Sequence, residues 1–378
     1  MLRIAVAEEN APSLRPGDLI LVPGRPGRWM VEESEHMPGL IRIVARAWDA
    51  PHGLSAVGAG SDHIGSDIPD VGETRLWAVD LSPLPLSPET GTALSLLAVG
   101  TGTGWPGAAV SMVQQDVHYP LGQIGPGLVA GRLTQPLAPA SAMLFDRANS
   151  VTVELFNAAM GFESADAGTL ALGGNLVHLN GEFLQFAEAE QLTPTSWRLS
   201  GLYRGLFGSQ ARAEAGHMTG AALQLLEPDM PRLDYAVGAL ETGLVLSFAA
   251  EGEEDDEPVL AAATVEKRGL VPFAPVHFAW HREAGTIRLR WSRRPRRYVA
   301  WQDFADMPPV ESREAYRLVV TGAAQAISEH DGPGADIPVA EMQSLLGPAG
   351  SVALELRQLG DHAISPPAIL TIPSTALS

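Results

Sequence analysis

The chain has 378 residues, 46% of them hydrophobic and 18% charged, so it can fill the cores of about two to four domains and is not a disordered chain. Its net charge of −19 disfavours general nucleic-acid binding, because an acidic surface repels the phosphate backbone. The absence of cysteine excludes disulfides, thiolate catalysis and cysteine-based zinc sites.

The 39 glycines and 30 prolines exceed ordinary usage and predict many turns between short strands. We therefore expect a mainly β, multi-domain chain. No stretch approaches the roughly 18 apolar residues of a membrane-spanning helix, and no signal peptide is recognisable after Met1. We expect synthesis in the cytoplasm and no membrane span.

The first predicted segment covers residues 1–72. Apolar runs at residues 2–6, 19–22 and 40–47 are separated by Gly and Pro turns and predict short strands. From residue 52 onwards Gly, Ser, Asp and Pro dominate without any period, which predicts a flexible linker.

The second segment, residues 73–265, predicts a β-rich middle domain whose clearest part is the stretch 181–209. Residues 182–188 alternate between two unlike faces, and Thr193-Pro194-Thr195-Ser196 supplies turn chemistry before a second alternating run that begins at Trp197. The pattern predicts an antiparallel hairpin followed by a sharp, glycine-rich exit at residues 202–208.

The third segment, residues 266–378, has the order of strands typical of a fibronectin type III-like sandwich. It contains a Pro-x-x-Pro start at residues 272–275, a strand ending in Trp291 and a Glu-x-Tyr strand at residues 314–316. In such sandwiches a central tryptophan fills the core between the sheets, and we expect this of Trp291.

Two of these stretches resemble one family. The sequence GEFLQFAEAE…WRLSGLYRGLFGS at residues 181–209 resembles the C-terminal part of the large baseplate, or tail-tip, protein of gene transfer agents and related siphophages. A second match is SRRPRR at residues 292–297 with Trp301 and Glu314-Ala315-Tyr316. Leu206 and Phe207 stand where the family usually has polar or basic residues.

The resemblance implies a structural component of the tail tip, a hub that contacts the host envelope and allows DNA delivery. It implies a homo-oligomer, a trimer in this family, that joins other tail-tip and distal tail proteins in the virion after assembly in the bacterial cytoplasm. In the same family the first segment would be a small hub-like β element.

Two alternatives from other functional classes remain open. One is a carbohydrate-binding adhesin at the tail tip, since tryptophan faces stack on sugar rings; the tryptophans considered are Trp29, Trp105, Trp197, Trp291 and Trp301. The other is a polysaccharide-degrading enzyme, which needs two carboxylates facing one cleft. No Gly-x-Ser-x-Gly motif or paired carboxylates stand out, so we expect no catalysis.

Three further motifs favour structural interpretations. His277 and His281 lie on a predicted strand, about 13 Å apart, too far to share a metal. The acidic run at residues 251–257 lacks the spacing of a calcium loop and suggests a solvated linker. The glycines at residues 100–104 precede Trp105-Pro106 rather than Lys-Ser or Lys-Thr, which predicts a turn and not a phosphate loop. We expect neither metal nor cofactor.

The candidate contact residues for an envelope glycan or a partner protein form two groups. They are Arg293, Arg294, Arg296, Arg297 and Trp301 in the basic stretch, and Tyr203 and Arg204 at the hairpin exit. The arginines could bind an anionic partner. Alternatively, they pair within their own domain with Asp303, Asp306, Glu311 or Glu314, or stack on Trp301.

Overall fold

The structure is a computed structural model that describes residues 2–7, 14–25, 28–37, 40–48, 69–82, 84, 92–296, 310–346 and 350–378. These residues are mainly in β-strands, as the composition predicts. The chain divides into two compact units, Met1–Asp67 and Ile68–Ser378. The three-segment division at residues 72 and 265 stays a prediction.

The first unit contains a four-stranded antiparallel sheet in the order β1-β4-β3-β2. Its strands are β1 (Leu2–Ala7), β2 (Leu19–Ile20), β3 (Arg28–Met37) and β4 (Leu40–Trp48). In β4, Ile41, Ile43 and Ala45 are fully buried while Arg42 and Arg46 are exposed, so alternation decides which face forms the small core. The predicted linker lies mostly outside the described residues.

The second unit begins with four strands that form parts of two sheets. They are β5 (Thr74–Val79), β6 (Ala93–Gly100), β7 (Ala108–Gln114) and β8 (Val117–Ile124). Every residue of β6 is buried, which fits a strand covered on both faces. The Gly-rich stretch after β6 is a turn, as predicted, and Trp105 at its end is buried in the core of these sheets.

The chain then forms a closed six-stranded barrel in the order β10-β13-β12-β11-β14-β9. Its elements are β9 (Ala130–Leu133), β10 (Phe145–Leu155), α1 (Ala167–Ala171), β11 (Leu176–Leu179), β12 (Glu182–Gln191), β13 (Ser196–Leu206), α2 (Gln210–Ala215) and β14 (Ala222–Leu225). Strands β12 and β13 form the predicted hairpin. Side chains such as Leu184, Phe186 and Leu199 fill the interior.

After the barrel, three strands return to complete the two sheets that β5–β8 began. They are β15 (Leu233–Ala236), β16 (Val245–Gly252) and β17 (Val259–Thr264). The sheets have the orders β15-β6-β5 and β17-β16-β7-β8, so the barrel is an insertion between β8 and β15. The acidic run 251–257 is not a linker: it covers the end of β16 and the turn of the β16–β17 hairpin. There the Asp255 carboxylate accepts hydrogen bonds from the Thr74 and Gly252 amides.

The C-terminal part is a fibronectin type III-like sandwich with sheets β18-β19-β22 and β21-β20-β23-β24. Its elements are β18 (Val276–Glu283), β19 (Thr286–Ser292), β20 (Ala315–Thr321), β21 (Gln325–His330), β22 (Gly334–Pro338), α3 (Val339–Ser344), β23 (Ser351–Leu359) and β24 (Ala368–Pro373). Trp291 lies in the core and packs edge-to-face on Tyr316, which confirms its predicted role. Among the described residues, no helix has the length and apolar character needed to cross a membrane.

Candidate functional site

The hairpin β12–β13 carries a buried ionic cluster at its start and end. The Glu182 carboxylate, fully buried, accepts hydrogen bonds from Arg204 Nε at 2.6 Å and Nη2 at 3.0 Å, and from the Gly205 amide at 3.0 Å. His217 Nε2 lies 2.6 Å from its second oxygen. Asp146 adds a second carboxylate 3.6 Å from Arg204.

The electrostatics of this cluster favour the ionised carboxylate. Burial raises the pKa of Glu182, but the hydrogen bonds from His217 and Arg204 outweigh it and hold the pKa below its usual value. Arg204 is only 1% exposed, so its predicted role as a surface contact is wrong for this structure: its charge is used inside the barrel wall. Tyr203 is 42% exposed, and its ring packs on Phe145 with centroids 4.7 Å apart.

The end of β13 and the turn after it have a strained backbone conformation. Gly205 and Gly208 have φ of +63° and +84°, and Phe207 between them adopts a left-handed φ of +50°, which a side chain bearing a Cβ rarely takes. The Ser209 hydroxyl accepts from the Phe183 amide and donates to the Leu206 carbonyl, which fastens the turn to the hairpin.

This turn forms one wall of a cleft of about 520 Å³ between the barrel and the C-terminal sandwich. The barrel contributes the end of α1 and the residues that follow it, Gln185 and the turn. The C-terminal part contributes Phe273, the start of β18, and the end of β19 with the stretch after it. The lining residues are Leu170, Ala171, Gly173, Leu176, Gln185, Leu206, Phe207, Phe273, Val276, His277, Ser292, Arg293, Arg294 and Pro295. Apolar surface dominates, and a volume of this size is typical of ligand pockets.

Two of the predicted arginines line this cleft. Arg294 stacks on Phe273, with its guanidinium carbon 5.1 Å from the ring centroid. With the Gln210 amide oriented so that its oxygen faces Arg294, that oxygen accepts from Nη1 and, at 3.0 Å, from Nη2. Burial lowers the pKa of Arg294, because the guanidinium is partly removed from water. Arg293 pairs with Glu314 at 2.7 Å.

Of the rest of the basic stretch, the structure describes Arg296. Arg296 is 6% exposed, donates to Glu311 and to the Gly269 carbonyl, both at 2.6 Å, and is therefore an interior residue rather than a contact residue. The predicted pairing within the domain thus holds for Arg293 and Arg296. Arg297 and Trp301 lie outside the described residues.

A second strained residue lies on the opposite wall of the cleft. His277 has φ of +53° and sits at an irregularity in the β18–β19 pairing, between Val276 and Ala279. Left-handed residues other than glycine cost about 1–3 kcal/mol each and cluster at functional sites. Phe207 and His277 both line this cleft, which marks it as the candidate site.

The connection between the two sheets that contain β5–β8 and β15–β17 and the C-terminal sandwich, at Arg268 and Gly269, is hydrogen-bonded on both sides. The Arg268 amide donates to Asp80 at 3.0 Å and the Gly269 amide to the Ser82 hydroxyl at 2.8 Å. Arg296 holds the Gly269 carbonyl from the other side. The connection is therefore a fixed joint, which keeps the two walls of the cleft in register.

The structure offers no assembled metal centre in the part of the chain that it describes. No group of three or more His, Asp or Glu side chains there could hold an ion. His277 and His281 both lie on β18, the strand predicted for them, where residues four apart are too distant to share an ion.

The sequence alone did not predict the buried cluster around Glu182 or the position of Phe273 in the wall of the cleft. The signal for the first was present: alternation puts Glu182 on the same face as Leu184 and Phe186, and an acid on an apolar face needs a buried partner. Arg204 approaches Glu182 through the pairing of β12 with β13, whereas His217 comes from a later segment that no local pattern places there.

A comparison with known protein families bears on the barrel. The family model described as "Rcc01698-like, C-terminal" matches residues 128–224, the span of the closed barrel. No curated protein sequence matches the chain significantly.

Among solved structures, a two-domain fibronectin type III segment of chicken tenascin matches with 8% identity and a TM-score of 0.21, covering 64% of this chain and 99% of its own. The FN1–FN3 domains of chicken CNTN1 match with 10% identity and a TM-score of 0.20, covering 81% and 98%. The fibronectin type III-like assignment of the C-terminal part follows from its strand order.

Proposed function

We propose that this chain is a structural component of the tail tip, or baseplate, of a siphophage or gene transfer agent. The proposal rests on the agreement of two observations about the barrel. The stretch 181–209, whose sequence resembles the tail-tip family, forms the central hairpin of the barrel, and the family model covers that same barrel. In this role the chain is assembled in the bacterial cytoplasm and carried in the virion.

The construction of the barrel supports a mechanical role. A closed barrel has no free sheet edge, and the Glu182–Arg204 pair ties the two ends of the central hairpin together inside it. The joint at Arg268 and Gly269 is bonded on both sides. Force applied to the C-terminal sandwich is therefore transmitted to the preceding sheets and is not absorbed by a loose linker.

Exposed apolar side chains on the barrel support assembly with further chains. Met143, Leu144 and Met218 are 64%, 70% and 77% exposed and emerge from adjoining segments, which are joined by backbone bonds between Leu137 and His217. Apolar side chains exposed together are typical of protein interfaces. The partners we propose are two further copies of this chain, in a homotrimer, and other tail-tip and distal tail proteins.

The adhesin alternative is supported only by the pair of the exposed Tyr203 and the half-buried Phe145, and by no described tryptophan. It needs aromatic rings clustered on a solvent-facing surface. Each described tryptophan side chain is instead buried or half-buried; these are Trp29, Trp77, Trp105, Trp197, Trp280 and Trp291. Trp48 and Trp301 lie outside the residues whose side chains are described.

The proposal is tested by deleting the gene in the producing strain and restoring it on a plasmid. We expect mass spectrometry to find the chain in purified particles, and the deletion to abolish DNA delivery while capsid proteins are still made. A triple variant with Met143, Leu144 and Met218 changed to Ser should fold but fail to enter particles. Particles that form and deliver DNA normally without the chain would contradict the proposal.

A further inference from the structure

The cleft between the barrel and the sandwich is strongly apolar and has an open rim. Its walls include Leu176, Phe207, Phe273 and Val276, which are buried or half-buried. Residues of its rim, such as Ser292, are exposed, so a solute can reach the interior.

The charge of the cleft is opposite to that of the chain. The described lining residues include Arg293, Arg294 and His277 but no Asp or Glu, in a protein whose net charge is −19. Arg293 is neutralised by Glu314. For Arg294 the described part of the chain supplies only the neutral Gln210 amide and the Phe273 ring, and no carboxylate within ion-pair distance.

A half-buried guanidinium without a counter-charge is unfavourable unless an anion joins it, because burial removes the water that would otherwise solvate it. Arginine presents planar N–H groups that match a carboxylate or phosphate in a two-pronged hydrogen bond. The Phe273 ring and Gln210 hold the Arg294 guanidinium in one orientation at the edge of the apolar cavity. The arrangement therefore offers an anion site next to an apolar compartment.

Two residues with left-handed backbone conformations line the compartment. Phe207 and His277, one on each wall, are held in left-handed conformations that relaxation of either segment would remove. Gly208 allows the ring of Phe273 to approach, since a Cβ there would lie 2.7 Å from the ring. The walls are thus fixed before any ligand arrives, which reduces the entropy lost on binding.

We propose that this cleft binds an amphiphile with one linear apolar chain and one anionic headgroup, a fatty carboxylate or acyl phosphate. The Arg294 guanidinium binds the headgroup, and the walls formed by Leu176, Phe207, Phe273 and Val276 enclose the apolar chain. A cavity of about 520 Å³ accommodates a chain of medium length. The inference concerns the purified chain and is independent of its proposed place in a tail tip.

The test uses the full chain and two probes of equal length, dodecanoate and the neutral alcohol dodecanol, with binding measured by titration calorimetry. We expect saturable 1:1 binding of dodecanoate and at least tenfold weaker binding of dodecanol, since the alcohol lacks the charge that Arg294 attracts. Replacing Arg294 by Gln should weaken dodecanoate binding at least tenfold and leave dodecanol binding nearly unchanged.

Two further variants separate the cleft from other surfaces. Ser292→Trp, at an exposed rim position, should obstruct the cavity and weaken binding of both probes while leaving the melting temperature unchanged. Arg313→Gln makes the same change as Arg294→Gln at an exposed ion pair with Asp331 and should have no effect. Vesicles containing phosphatidylglycerol show whether a membrane lipid can supply the same chemistry, through binding that depends on Arg294.

Three results would overturn the inference. They are no saturable binding of dodecanoate or of anionic vesicles by the folded chain, equal losses in the Arg294→Gln and Arg313→Gln variants, and dodecanoate binding that survives both Arg294→Gln and Ser292→Trp.

Discussion

Glu182 is the main partner that stabilises the buried charge of Arg204 in the barrel wall. The carboxylate receives hydrogen bonds from the arginine, from the Gly205 amide and from His217, so a single side chain satisfies donors from three positions. A buried pair of this kind adds little net stability over an apolar pair, but removing one partner leaves an uncompensated charge. The contribution of Glu182 is therefore seen when it is removed, as a loss of folding stability.

We predict that Glu182→Gln lowers the free energy of unfolding by roughly 3 kcal/mol, because the buried Arg204 loses its closer, doubly hydrogen-bonded counter-charge and keeps only Asp146, at 3.6 Å. Urea denaturation followed by tryptophan fluorescence measures the change. The matched control is Glu190→Gln on the same strand, whose pair with Arg198 is exposed; it should change stability by at most about 1 kcal/mol. Similar losses in both variants would contradict the assigned role of Glu182.

His178 predicts a pH dependence of stability. Burial lowers the pKa of its imidazole from 6.5 to about 4. Its Nδ1 lies 2.7 Å from Gln224 Oε1, and its Nε2 accepts a hydrogen bond from the Gly181 amide. Protonation of Nε2 would break that hydrogen bond, because the new N–H would point at the Gly181 N–H. Between pH 6.5 and 4 the unfolded chain binds a proton that the folded chain does not, so stability is complete above pH 6.5 and falls as the pH drops towards 4.

We expect this loss to approach roughly 3 kcal/mol, at about 1.4 kcal/mol for each tenfold change in proton affinity. Unfolding titrations at several pH values should give a slope between pH 6.5 and 4 that is reduced in His178→Gln. The control His281→Gln alters an exposed histidine and should retain the slope. An unchanged slope in His178→Gln would show that other groups cause the pH dependence.

At the scale of elements, local patterns predicted the hairpin and the position of Trp291, because alternation and turn chemistry are readable over a few residues. They did not predict that β9 pairs with both β10 and β14 to close a barrel, since those pairs join segments that are distant in sequence. The burial of Arg204 is likewise not readable from its sequence neighbours, because an arginine between glycines at the exit of a hairpin is as typical of a surface contact as of a buried ion pair.

The turn after β13 gives a prediction at this scale. Gly208 and Gly220 have similar positive φ values of +84° and +87°, but only a Cβ on Gly208 would meet another residue, the Phe273 ring. We expect Gly220→Ala to lower the free energy of unfolding by about 1 kcal/mol for the left-handed backbone alone. Gly208→Ala should cost at least about 1 kcal/mol more, because the ring must also move. Equal losses of unfolding free energy in the two variants, measured by urea denaturation, would contradict the close contact between Gly208 and Phe273.

The joint at Arg268 and Gly269, between the sheets and the sandwich, gives a second prediction at the scale of elements. Arg296→Gln removes a buried ion pair with Glu311 and a strong hydrogen bond to Gly269, so we expect faster hydrogen exchange of the amides of residues 268–273. Arg317→Gln, which removes an exposed pair with Glu329, should leave exchange at the joint unchanged. Wild-type exchange at the joint in the Arg296→Gln variant would show that this pair does not fasten it.

At the scale of the whole molecule, the second unit consists of a pair of sheets with a barrel inserted between β8 and β15, followed by a fibronectin type III-like sandwich. The full chain carries a net charge of −19, and in the described part of the second unit buried ion pairs include Glu182–Arg204 and Glu311–Arg296. Composition predicted the β class and the acidity, but not the apolar, positively charged cleft, whose lining comes from five separate stretches of chain.

The central claim is that this chain belongs to a tail tip, and cryo-electron microscopy of particles purified from the producing strain tests it most directly. We predict density for the closed barrel and the C-terminal sandwich in a symmetric ring at the distal end of the tail, with the exposed Met143, Leu144 and Met218 at contacts between chains. Well-resolved tail tips that contain no copy of this chain would contradict the account.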